Sequence, residues 1–369
     1  MKRFKYILLL ILILIAIGIG IKFLIPKWKN TGLGITPLKN FNQYDSININ
    51  KVKQERSAYE IRNIRAITSE NYYTAPVWSP DGEKIAITNL NFKGIIIENI
   101  NDRTQKRITD DEGAGFRFSW SPNSRAITYL SRKIINGEAI NIIKIVEIDN
   151  GRTFELTSPG IGASMPTFTQ SNEVIYSYKG TLIKRNWSDG AIGNEEIIAE
   201  NVPANIIVPS PKDNVLVIED DKGIKIININ GSNLKSVIIN GLNEFAHMAE
   251  VSFSGNKVLF FNNVGSITHM FIYDIKSEKT KDLGKGYFGH WLADGRVMYC
   301  KIEDDGIRNI KSDIFIIKED GTSEEKITHT EDKIEIQPMM SSDGKHITYL
   351  EEKSGKIKLG ELTAKKSNL

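Results

Sequence analysis

The sequence predicts an all-β fold, a β-propeller, and three observations carry that prediction. A Trp–turn–strand motif recurs seven times along the chain. The spacing of the copies matches one four-stranded blade. Several copies also show a third strand, a polar turn and a short fourth strand. "APVWSPDGEKIAIT" at residues 75–88 shows the unit most clearly. Asp81-Gly82 between alternating runs is a tight-hairpin signal, because glycine takes positive φ without steric cost.

The copies follow in order. "FSWSPNSRAITYLS" (118–131) keeps Trp120 and Pro122, and "MPTFTQSNEVIYSY" (165–178) puts Phe168 in the Trp place. "IVPSPKDNVLVIED" (207–220) keeps Ser210-Pro211 without the aromatic. "AEVSFSGNKVLFFNN" (249–263) offers Phe253, "GHWLADGRVMYC" (289–300) offers Trp291, and "QPMMSSDGKHITYLEE" (337–352) offers Met340. Anchors at 78, 120, 168, 209, 253, 291 and 340 are spaced by 42, 48, 41, 44, 38 and 49 residues. A period of roughly 40–45 residues made only of strands is what one propeller blade occupies. A β-sandwich has no reason to repeat such an ordered motif.

Third strands follow, such as "GIIIENI", "INIIKIVEID", "GIKIININ", "MFIYDI" and "SDIFIIKED". Polar turns ("IDNGRT", "INGSN", "KEDGTS") then lead to fourth strands ending in "KRIT", "FELT" or "EKIT". Gly, Asn and Asp supply the turn geometry. The seventh copy has only 29 residues after Met340, enough for "HITYLEE" and "KIKLGEL" but not for a fourth strand. "IRNIRAIT" at 61–68 ends like the fourth strands and precedes the first anchor. An open strand edge is a liability, so this N-terminal strand is expected to complete the last blade, burying Ile61, Ile64 and Ile67. The count is then seven four-stranded blades, or six if the degenerate fourth copy is only a connection.

These residues carry a family resemblance. The pattern P-x-W-S-P-D-G-x-x-I-A with a trailing R-x-I-T resembles the propeller repeat of the bacterial TolB family, shared with the propellers of the prolyl oligopeptidase family. It covers about residues 58–363, most clearly Pro76, Trp78, Ser79, Pro80, Asp81 and Gly82. The resemblance implies a fold rather than an activity. It stops short of TolB itself. TolB proteins carry an α/β domain before the propeller, for which about 30 residues leave no room here. They are also soluble periplasmic proteins.

The N-terminus points elsewhere. Residues 7–21 are an unbroken apolar run behind Lys2, Arg3 and Lys5, and past Lys22 the run reaches Ile25. Lys22 can snorkel, and a run of 19 residues suits a spanning helix. Residues 1–29 are expected to act as an uncleaved signal anchor, with cleavage after "GIG" at 18–20 as the alternative. Residues 30–57 read as a tether and 58–369 as the propeller. The positive-inside rule puts the basic start in the cytoplasm and the propeller outside it. No cysteine near the run offers a lipid attachment site.

Composition fits this topology. The net charge is +3, but residues 1–29 hold six basic residues (Lys2, Arg3, Lys5, Lys22, Lys27, Lys29) and no acidic one. The remainder carries 42 basic and 45 acidic residues, a net of −3, which gives no basic field for nucleic acid. Cys300 is the only cysteine, so no intramolecular disulfide forms, and its strand context suggests a buried apolar role.

Catalytic motifs are missing. There is no G-x-S-x-G elbow, no H-E-x-x-H and no Walker loop. "DDEGAG" and "IEDDGIRN" lack calcium-loop spacing. Asp-Gly pairs at 81–82, 294–295, 320–321 and 343–344 are what hairpin turns demand. His247, His269, His290, His329 and His346 show no metal-ligand spacing, and no cofactor is expected. The residues at the start of each innermost strand gather at one mouth of the central channel. They include Tyr73, Arg117, His247, Glu250, His290 and Glu335. A concave mouth with mixed polar and aromatic side chains is the candidate binding site, weighed against strand ends that are polar only because they are solvated.

The expected function is a membrane-tethered extracytoplasmic binding or scaffold module for a protein, peptide or glycan of the cell envelope. One alternative is a channel-site enzyme such as a polysaccharide lyase or hydrolase. Another is a sensory or assembly subunit of the envelope.

Overall fold

One turn organises every repeat. In the first, the Ser79 Oγ accepts the Lys84 N–H at 2.9 Å, and the Asp81 carboxylate accepts the Glu83 N–H at 3.0 Å. Gly82, at φ +73°, donates its N–H to the Ser79 carbonyl at 2.9 Å. Ser121, Ser252 and Ser341 make the same hydroxyl bond to the N–H five residues on. The positive-φ position recurs in all seven copies, at Gly82, Ser124, Asn172, Asp213, Gly255, Gly295 and Gly344. Each lies four residues after an anchor, which identifies the fifth anchor as Val251. Phe253 instead occupies the turn and is 48% exposed, while Val251 is buried. The larger aromatic misled the sequence reading; the turn register decides.

The structure, a computed structural model, describes residues 59–68, 73–89, 91–188, 190–237 and 246–365. The expected membrane segment and the tether lie outside the described residues. The described chain forms 28 strands in seven four-stranded sheets. Six sheets follow sequence order, as blades 1 (73–109), 2 (119–155), 3 (167–199), 4 (206–236), 5 (247–285) and 6 (287–326). Residues 206–236 make a complete sheet, so the six-blade alternative falls. Blade 7 runs Glu335–Met340, His346–Glu351 and Lys356–Ala364, and Tyr59–Ala66 is its outermost strand.

That closing strand pairs antiparallel with Lys356–Ala364, from Tyr59 opposite Ala364 to Ala66 opposite Lys358. A Cβ on Gly360 would stand 2.3 Å from the Ile61 side chain, so glycine is what lets the strand lie down. Ile67 is buried and Ile61 half-buried. Ile64 is 50% exposed, contrary to expectation, because the register shifts between Arg62 and Arg65, with Asn63 at φ +52°.

The core lies between blades. Seven clusters of buried apolar side chains fill the seams between neighbouring blades. Each Trp anchor packs against the preceding blade. The Trp120 and Trp291 indoles also donate to the carbonyls of Val77 and Glu250, both at 3.2 Å, one residue before that blade's own anchor. Cys300 is fully buried in the second strand of blade 6, and burial pushes its thiol up to about 12.

Strand direction gives the ring two unlike faces. Turns between first and second strands, and between third and fourth, lie on one face. Second–third hairpins and blade-to-blade connections lie on the other, where the innermost strands begin.

Candidate site at the channel mouth

The innermost strands are irregular where they begin. Registers shift within His247–Val251, Tyr287–Trp291 and Glu335–Met340. Met248, Phe288 and Gln337, each three residues before an anchor, have φ of +56°, +54° and +54°, and Arg117 stands at the same place at +56°. Non-glycine residues occupy this region at a cost and often near functional surfaces. In blade 5 the bulge is held from the neighbouring blade. The buried Glu219 carboxylate of blade 4 accepts the Met248 N–H at 3.1 Å and also the Ala249 N–H. Glu219 escaped the sequence reading because nothing marks a strand carboxylate as a brace for another blade.

Glu250 and His290 meet. Both stand one residue before an anchor, in adjacent blades. The His290 Nδ1 lies 2.9 and 3.1 Å from the two Glu250 oxygens. Glu250 also accepts the Trp291 N–H at 3.3 Å, so the carboxylate ties blade 5 to blade 6. Burial pulls the imidazole pKa down, but the adjacent carboxylate prevails and the result lies above the ordinary 6.5. A raised histidine pKa stabilises the fold below its unfolded value, and that contribution fades as pH rises through the folded value. The melting-temperature advantage of the parent over His290→Gln is therefore expected to be largest at or below about pH 6 and to shrink in the window above it. A constant difference across that window would show that the pair is not charge-coupled.

Arg117 stands apart from them. It lies with Ser119, Met165, Pro166, Thr167, Ile206 and Val208 around a pocket of about 160 Å³ where the innermost strands of blades 2, 3 and 4 adjoin. The other expected residues divide. His247 begins its strand and its ring lies 6.3 Å from that of Phe261. Tyr73 begins the innermost strand of blade 1, and its side chain lies outside the described residues. Glu335 is a correction. It is 1% exposed, packed in the seam between blades 6 and 7, and burial raises its carboxyl pKa. Its strand position aims the side chain along the seam rather than into solvent.

The mouth face has a second character. The second–third hairpins of blades 2, 5 and 6 carry Ile134 and Ile135, Val264 and Ile267, and Ile307 and Ile310, all exposed. Exposed apolar pairs at hairpin tips are candidate interaction points. Among the described residues, no three His, Cys, Asp or Glu side chains are grouped to hold a metal ion.

No protein-family model and no curated protein matches the chain. Solved structures do. An oligogalacturonate lyase from Vibrio parahaemolyticus superposes with a TM-score of 0.59 at 11% identity, covering 83% of this chain and 97% of the other. An oligogalacturonate lyase in complex with manganese gives 0.57 at 12%, covering 85% and 99%. TolB from Acinetobacter baumannii gives 0.42 at 15%, covering 80% and 56%. The lyase likenesses establish the propeller fold and nothing finer, since identity this low carries no activity.

Proposed function

We propose that this protein is a membrane-tethered extracytoplasmic propeller that binds a protein or peptide of the cell envelope on its mouth face. The observation that carries the reading is that exposed aliphatic pairs stand on the second–third hairpins of blades 2, 5 and 6, all on the face where the innermost strands begin. An apolar rim suits a polypeptide partner better than a glycan, whose hydroxyls need hydrogen bonds on every side. The closing strand supports the arrangement. Tyr59 pairs with Ala364, at the end of a third strand, so the chain joins the propeller on the face opposite the mouth. A tether attached there leaves the mouth open.

The test is cross-linked capture from envelope extracts by the full chain in mild detergent. Ile135→Asp with Ile307→Asp is expected to cut capture about tenfold. Phe253→Asp, on the opposite face, should leave it intact. Equal capture by all three proteins would move the binding surface elsewhere. The lyase reading rests on fold likeness alone, and eliminative cleavage of oligogalacturonate by the purified chain with manganese added would favour it.

A further inference from the structure

The Arg117 pocket has a chemistry narrower than that of the rim around it. Arg117 is half-buried, and among the described residues no hydrogen bond or ion pair engages its guanidinium. Its backbone is held at φ +56°, where a non-glycine residue costs on the order of 1 kcal/mol. The neighbouring Ser119 Oγ accepts the Phe168 N–H at 3.1 Å, which leaves its own O–H able to donate. The other walls are mostly aliphatic: Met165, Pro166, Ile206 and Val208, with Thr167 beside them.

A part-buried cation without a partner calls for an anion, and a guanidinium matches a carboxylate two bonds at a time. The walls decide which carboxylate. A uronate would set its ring hydroxyls against methylenes and lose their hydrogen bonds to water. An aliphatic group beside the carboxylate would instead bury apolar surface. The volume of 160 Å³ is below the roughly 300 Å³ at which pockets for drug-sized ligands begin, and suits the end of a chain.

We propose that the Arg117 pocket binds the C-terminal carboxylate of a polypeptide whose last residue is aliphatic. This rests on the reading of the mouth as a binding face and names the part of the partner that enters it.

The test is calorimetric titration of the full chain in mild detergent with an acetylated Ala-Ala-Ala-Ile peptide bearing a free carboxylate. The same peptide as its C-terminal amide, one ending in Asp, and trigalacturonate complete the set. The free-acid isoleucine peptide is expected to bind. Amidation, the Asp ending and Arg117→Gln should each weaken it about tenfold or more, whereas His290→Gln should not. An unchanged melting temperature for Arg117→Gln confirms that the ring is intact. Equal binding of acid and amide, or no binding of either, overturns the proposal. Arg117-dependent binding of trigalacturonate without the peptides also overturns it, in favour of an acidic sugar. If the peptides fail while capture still depends on Ile135 and Ile307, only this inference falls. If capture is insensitive as well, the binding face itself is wrong.

Discussion

Deleting residues 59–66 is expected to lower the melting temperature by about 10 °C or more, or to leave the protein aggregated. The strand is paired along its length with Lys356–Ala364, and each lost backbone hydrogen bond costs about 1 kcal/mol. Its side chains add to this. Ile61 covers Gly360, and the Tyr59 ring lies 5.0 Å from the Arg296 guanidinium of blade 6. Leaving blade 7 with three strands also exposes the edge of Lys356–Ala364 to other chains. Several kcal/mol is a large part of the roughly 5–15 kcal/mol that stabilises a domain. Gly360→Ala provides a milder version that keeps the strand, because its methyl collides with Ile61. It should melt several degrees lower. Thermal scans followed by circular dichroism check both variants. A soluble deletion variant with the parent's melting temperature would mean that the ring closes in another way.

Trp291→Ala should cost about 3–5 kcal/mol in denaturant unfolding, whereas Phe253→Ala should stay within about 0.5 kcal/mol of the parent. Trp291 is 1% exposed in the seam between blades 5 and 6, and its indole N–H is bonded to the Glu250 carbonyl. Truncation there opens a cavity and orphans that carbonyl. Phe253 fills a turn position and packs into no seam. Comparable losses from the two substitutions would restore Phe253 as an anchor and overturn the register that places Val251 there.

Much of the fold was legible because its signals are local. The Ser79-Pro80-Asp81-Gly82 turn and its degenerate copies announce themselves through short polar side chains and a residue at positive φ, all within five positions. The site was only partly legible. Glu250 and His290 were found because both precede an anchor, and that offset places them in neighbouring blades at one level of the channel. Glu335 stands five residues before its anchor rather than one and is buried, because the connection before it packs against blade 6. The Ser312 hydroxyl donates to the Glu335 carbonyl at 2.7 Å and draws the strand into the seam. No local pattern carries that contact.

By itself, the sequence determined the repeat, the composition of each hairpin and the segment that closes the ring, because these depend on neighbours in the chain. Only the tertiary structure decided the count of seven blades, since residues 206–236, whose copy lacks the anchor aromatic, make a full blade between two others. It also decided the positive-φ positions at Arg117, Met248, Phe288 and Gln337, whose side chains have no intrinsic preference for that region. Contacts between blades impose that conformation, as the Glu219 carboxylate does on blade 5. The chemistry at the mouth follows from those contacts: a partnered imidazole on one side and, on the other, a guanidinium with no partner among the described residues.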